Sequence, residues 1–131
     1  MKKKIIKGDR LQRLQLDIQK WSDSAFGKNR NSLPMVYHLK KEIEELITAL
    51  LDVCGMGVDV SDEALREKYH RVVMEYADCF MLLIDSAAHF PIGTGALLNA
   101  VEKKLEINKK RKWGEPDKNG VVEHIKMAGD L

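Results

Sequence analysis

Residues 72–84 read VVMEYADCFMLLI, and residues 40–51 read KKEIEELITALL. In the first stretch every residue except Glu75 and Asp78 is apolar or aromatic. It lacks the alternation of a half-buried strand and has the length and composition of a helix. A helix apolar on all sides is expected to be buried. Its two carboxylates are three residues apart and so share one face. The second stretch repeats that spacing at Glu42 and Glu45. These two border an apolar stripe of Leu39, Ile43, Leu46, Ile47 and Leu50, whereas Glu44 falls two positions off and points to solvent. Buried carboxylates are costly unless they are paired or hold a cation. Four facing carboxylates without basic partners make an oxygen-only site, which suits Mg²⁺ or, as a substitute, Mn²⁺.

Helical signals continue on both sides of these stretches. Asp9 or a neighbour starts a first helix that runs to about Ala25, with Leu11, Leu14, Ile18 and Trp21 at helical spacing and Phe26-Gly27 as its stop. Pro34 suits a first turn, and a second helix runs from about Met35 to Val53. Cys54-Gly55-Met56-Gly57 breaks it, and Val58–Val60 is a connector. Ser61 is an N-cap for a third helix that reaches about His89, where Phe90-Pro91 ends it; a break before Lys68 is the alternative. Thr94 caps a fourth helix, from Gly95 to about Lys112. Residues 117–131 form a C-terminal extension with a short element around Val121–Met127. Four helices joined by short loops predict an all-α, antiparallel four-helix bundle. The second and third helices are then neighbours of opposite direction, and the two acidic pairs face each other. One domain is expected over residues 1–131, with residues 1–8 a flexible basic tail.

Composition removes several classes. Hydrophobic residues make up 44% of the 131, enough for a core. The net charge of +2, from 22 basic and 20 acidic residues, sets up no global field for a polyanion. Cys54 and Cys79 lie far apart without a CxxC, so neither a disulfide framework nor a zinc pattern follows, and Cys79 reads as a reduced core residue. The lysine-rich start is not followed by the apolar run of a signal peptide. The longest apolar run, Cys79–Ile84, is too short to span a membrane. The expectation is a cytoplasmic protein with no membrane partner.

Each motif has a plainer reading. ExxE on an amphipathic helix is usually a solvated face, and ExxD can be paired with Lys or Arg from another helix. Asp85, seven residues after Asp78, reads first as an exposed residue near a helix end and second as a peripheral carboxylate on the same stripe. Lys104, Asn108 and Arg111 share a face of the fourth helix, bordered by Lys112. Such a stripe suits phosphate oxygens, although cations also collect at helix C-termini because of the dipole. Trp21 and Trp113 each flank a turn and are core residues or, for one of them, a stacking surface for a base. His38, His70, His89 and His124 have no metal-ligand spacing and read as surface or satisfied structural histidines. Gly93-Thr94-Gly95 lacks the strand and lysine of a phosphate loop.

Taken together, IQKWSDSAFG (18–27), HLKKEIEEL (38–46), EYADCFMLLIDSA (75–87) and KLEINKKRKWGEPDKNGVVEHIK (104–126) resemble the all-α MazG-like nucleoside triphosphate pyrophosphohydrolases. Their wording is closest to the dATP/dGTP pyrophosphohydrolase (MazZ-like) branch. The resemblance implies Mg²⁺-dependent hydrolysis of a deoxynucleoside triphosphate, of purine type, to the monophosphate and pyrophosphate. It implies Glu42, Glu45, Glu75 and Asp78 as metal ligands, with Glu45, or else Glu42, directing the attacking water. Lys104, Asn108 and Arg111 match the positions that contact triphosphate and sugar, and Trp21 is added as a substrate contact. A homodimer or homotetramer is also implied. One departure stands out: many relatives carry EExxE, and here Lys41 takes the first glutamate's place. The competing reading is a non-catalytic helical module that binds nucleic acid or assembles through Lys103–Lys112, which the near-balanced charge disfavours.

Overall fold

The computed structural model of the chain describes residues 7–55 and 61–129. The expected basic tail therefore lies mostly outside the described residues, as does the Val58–Val60 connector. The described residues form four helices: α1 (Lys7–Phe26), α2 (Leu33–Cys54), α3 (Asp62–Ala88) and α4 (Thr94–Lys110). No strand occurs among the described residues, and the all-α expectation holds. No described helix is long and apolar enough to cross a membrane.

Local chemistry sets the ends. Gly27 leaves α1 with φ +99°, a left-handed conformation open to glycine, and its N–H returns to the Asp23 carbonyl at 3.0 Å. Pro34 occupies the first turn of α2. Ser61 caps α3, its Oγ accepting from the Ala64 N–H at 3.2 Å, and Asp62 and Glu63 face the positive end of the helix dipole. The helix then runs without a break through Lys68.

The chain divides into two compact units, residues 1–95 and 96–131. In the first, α3 packs against α2 and α1. Asp52 near the end of α2 pairs with Lys68 and Arg71 near the start of α3, while Glu42, earlier in α2, meets Glu75 and Asp78, later in α3. Those pairings run in opposite directions, so α2 and α3 are antiparallel. Ile18, Met35, Ala49 and Ile84 are the buried apolar residues among those described. Gln15, also buried, ties α1 to the end of α3. Its Nε2 donates to the carbonyls of Ile84 (3.2 Å) and Ile92 (3.0 Å), and its Oε1 accepts from the Thr94 N–H (3.0 Å).

The apolar run of α3 is not buried all round. Val73, Met74, Tyr76, Phe80 and Leu83 are all near half exposed. Composition assigns a helix its apolar faces, but burial needs a neighbour for each of them, and α1 and α2 together cover only part of α3's circumference.

In the second unit α4 leads into an ordered tail. Trp113 Nε1 donates to the Asn108 carbonyl at 3.1 Å, and Trp113 forms an isolated antiparallel bridge with His124. The Ile125 N–H donates to Lys112 and the Gly114 N–H to Glu123, at 2.8 and 2.9 Å. Asp117 Oδ1 accepts from the N–H groups of Asn119 and Val121, closing the turn that contains Gly120 at φ +80°.

Candidate metal centre and adjoining cavity

Antiparallel packing of α2 and α3 brings three of the four expected carboxylates together. Glu42, Glu75 and Asp78 each offer one oxygen, and those oxygens lie within 4.8 Å of one another. Glu42 and Glu75 are half-buried and Asp78 is exposed. Glu42 Oε2 and Glu75 Oε2 are buried and accept no hydrogen bond. Glu42 Oε1 faces His38 Nε2 at 3.1 Å. Glu45, one turn on from Glu42, stands outside the group of three. Its negative charge nevertheless acts on Glu42.

Electrostatics shows the strain of this grouping. Burial, then repulsion from Glu45, raises the Glu42 carboxyl above its ordinary range; the His38 bond opposes this and Asp78 adds to it. The Cys79 thiol is also pushed up, by burial and then by the charges of Glu42, Asp78 and Glu75. Among the described residues no Lys or Arg ion-pairs with Glu42, Glu75 or Asp78. Lys68 and Arg71 go to Asp52 instead. Orphaned carboxylate oxygens, mutual repulsion and an all-oxygen donor set fit a small hard divalent cation.

Beside this cluster lies a cavity of about 380 Å³ that Glu42 and Asp78 both line. That is within the size range of small-molecule sites. Its apolar walls include Ile18, Trp21, Phe26, Met35 and Leu82. Trp21 and Phe26 meet edge to face at 5.4 Å, and the Arg30 guanidinium sits 5.3 Å over the Phe26 ring. Trp21 is thus at the cavity. Asp85 lines it as well.

Asp85 corrects the sequence reading. It is not an exposed helix-end residue: it is 4% exposed, and its Oδ1 is buried without a hydrogen bond. The reason is the docking of α1 alongside the last turns of α3, which covers a face that would otherwise meet water. His89, four residues on, is held between two carboxylates. Its Nε2 is 2.8 Å from Asp23 Oδ1, and its Nδ1 is 2.8 Å from the Asp85 carbonyl and 3.2 Å from Asp85 Oδ1. Burial lowers the pKa of His89, but the Asp85 carbonyl and the Asp23 carboxylate outweigh it and the net shift is upward. Arg30 Nη2 adds a second cation 3.8 Å from Asp23. His89 is the satisfied structural histidine expected.

Within the second unit Lys104 is exposed, and Asn108 and Arg111 are half-buried. Arg111 Nη1 donates to Asn108 Oδ1 at 3.1 Å. Asn108 therefore holds Arg111 in place, a role its spacing alone did not specify. Phe26, Arg30 and His89 were not singled out as site residues. The one local signal for the last was the Asp85-x-x-x-His89 spacing, which puts both on one helix face.

A sequence model of a family described as dATP/dGTP pyrophosphohydrolase matches residues 52–131, more than half of the chain. The matched region contains Glu75, Asp78 and the Lys104–Arg111 stripe but not Glu42, Glu45 or Trp21. No curated protein and no solved structure matches the chain.

Proposed function

Because the chain belongs to the dATP/dGTP pyrophosphohydrolase family, we propose that it cleaves a purine deoxynucleoside triphosphate between the α- and β-phosphates, with Mg²⁺ as the required ion and Mn²⁺ as a substitute. The observation that carries this reading is the group of Glu42, Glu75 and Asp78 oxygens within 4.8 Å, free of Lys or Arg partners among the described residues, with Glu42 and Asp78 lining a cavity. These three residues hold the cation, with Glu45 as a fourth, outer carboxylate. When bound, a divalent cation neutralises phosphate oxygens and makes a water more acidic.

The residues of the chain then have distinct tasks. Water oxygen bonds to the α-phosphorus, the bond from that phosphorus to the α,β-bridging oxygen breaks, and pyrophosphate leaves. The water proton passes to a carboxylate, for which Glu45, exposed and not among the three, is the assigned acceptor. Trp21 and the apolar walls receive the base. Lys104 and Arg111 neutralise the polyphosphate, with Asn108 fixing the guanidinium of Arg111. The exposed apolar face of α3, Val73, Met74, Tyr76 and Phe80, supports assembly into a homodimer or homotetramer.

Incubating the full chain with each canonical and deoxy triphosphate and Mg²⁺, and separating products by chromatography, tests this function. Monophosphate and intact pyrophosphate are expected from purine deoxynucleotides. Inorganic phosphate with a diphosphate left behind would refute attack at the α-phosphorus, and a preference for dCTP or dUTP would refute the purine assignment.

A further inference from the structure

The carboxylate of Asp85 is a polar group that the proposed hydrolysis does not use. It lies in the wall of the same cavity as Glu42 and Asp78, 4% exposed, with Oδ1 buried and unbonded. Its neighbour does not account for it. His89 Nδ1 carries at most one proton, and the Asp85 backbone carbonyl at 2.8 Å takes it more closely than Oδ1 at 3.2 Å. Asp23 satisfies the other ring nitrogen. Beside His89 the Asp85 carboxylate has a charge partner at 3.2 Å but no hydrogen bond to its Oδ1, so it keeps acceptor capacity in a residue that lines the cavity.

The position fits one part of a nucleotide. Asp78 and Asp85 are seven residues apart on one unbroken helix, about 10 Å along its axis. A nucleotide whose phosphates sit at the acidic cluster would carry its base, across the sugar, toward Asp85. The walls between, Ile18, Trp21, Phe26 and Leu82, suit a flat aromatic ring. An ionised carboxylate only accepts hydrogen bonds. Guanine presents two adjacent donors, the ring N1–H and the 2-amino group, which match two carboxylate oxygens. Adenine presents a single amino donor beside a ring nitrogen acceptor, which would face the carboxylate unfavourably. Arg30 supplies the opposite polarity in the same cavity: its Nη2, 3.8 Å from Asp23, is buried without a hydrogen bond and offers the donor that the acceptor O6 of guanine requires.

We propose that Asp85 reads the donor edge of guanine, so that the enzyme prefers dGTP to dATP; this rests on the pyrophosphohydrolase reading above. Removing one donor at a time gives the order dGTP, then dITP, which lacks the 2-amino group, then dATP. In Asp85→Asn the amide replaces an acceptor with a donor.

The test measures kcat/KM for the three triphosphates with wild-type protein and Asp85→Asn, together with calorimetric binding of dGMP and dAMP. The wild-type order should be as given, and the dGTP-to-dATP ratio should fall about 10- to 100-fold in the variant, the discrimination carried by one bidentate base contact. Tighter binding of dGMP than dAMP by wild type alone is the matching result. Equal use of dGTP, dITP and dATP by wild type overturns the proposal, even where the variant folds poorly. An equal loss for all three in the variant also overturns it, because that is what a purely structural Asp85 would give. If no triphosphate is cleaved, the pyrophosphohydrolase reading fails separately. The monophosphate binding pair then decides the base: equal dGMP and dAMP affinities overturn the role of Asp85.

Discussion

Two acidic clusters meet the same cavity, and they are built on opposite principles. At one, Glu42, Glu75 and Asp78 crowd together with no Lys or Arg paired to them among the described residues, and two of their oxygens are buried and unbonded. At the other, Asp23 and Asp85 flank a buried His89, Arg30 approaches Asp23, and charge is balanced within the protein. The balanced cluster is the more buried of the two, yet it is the one whose charges are answered. Burial alone therefore does not mark a carboxylate as a cation ligand. A missing counter-charge does: the chain tolerates repulsion between α2 and α3 where a cation is to be received, and pairs its charges where α1 meets α3.

The contrast can be broken most sharply at the unbalanced cluster. Glu75→Gln and Asp78→Asn should each lower turnover by more than about 100-fold, since ligands cost more than the outer partners whose loss costs 10- to 100-fold. In chelator both variants should melt at or above the wild-type temperature, because a repulsion has been removed. Undiminished Mg²⁺ binding by the double variant in calorimetry would place the cation elsewhere.

The balanced cluster should respond in the opposite sense. His89→Ala leaves Asp23 with Arg30 alone and removes the cation beside Asp85, which is 4% exposed. A loss of about 3 kcal/mol is expected, the scale for breaking a buried pair by removing one partner. Denaturant melts in chelator check it, and a variant as stable as wild type would mean that the cluster contributes nothing to folding.

The smallest effect is in pH. His89 has its value raised above the ordinary 6.5, burial lowering it but the Asp85 carbonyl and the Asp23 carboxylate together outweighing burial. The folded state then holds a proton that the unfolded state releases. This contribution to stability is full below about pH 6.5 and is lost as pH rises through the raised value. Melting temperature followed across that window should fall in wild type and lose this component in His89→Gln. An identical slope in both would assign the titration to another group.

Much of the fold was legible from local signals. Four helices, the Ser61 cap, the Gly27 stop and the antiparallel meeting of the two acidic pairs all follow from periodicity, capping chemistry and short loops. Three of the four expected carboxylates converge, because i,i+3 spacing is a local property that survives packing. What local sequence does not encode is which face a neighbour covers. Asp85 looked like an exposed residue near a helix end because α1, whose docking buries it, lies some sixty residues away in the chain. The apolar run of α3 looked buried all round for the converse reason: residue type sets the wish for burial, and only the arrangement of neighbours grants it. Asn108 sat correctly on the cationic face, but its bond to Arg111 depends on rotamers that spacing does not fix.

Gln15 shows how little latitude one position can have. Its amide gives its donors to two carbonyls and its acceptor to one N–H, all at the junction where the chain leaves α3 and enters α4. Glutamate has the length but, when ionised, no donor; lysine has donors but no acceptor; methionine has the shape and neither. Asparagine has the chemistry and is one methylene too short. A residue that composition counts as an ordinary polar side chain is thus one for which the genetic code holds no synonym.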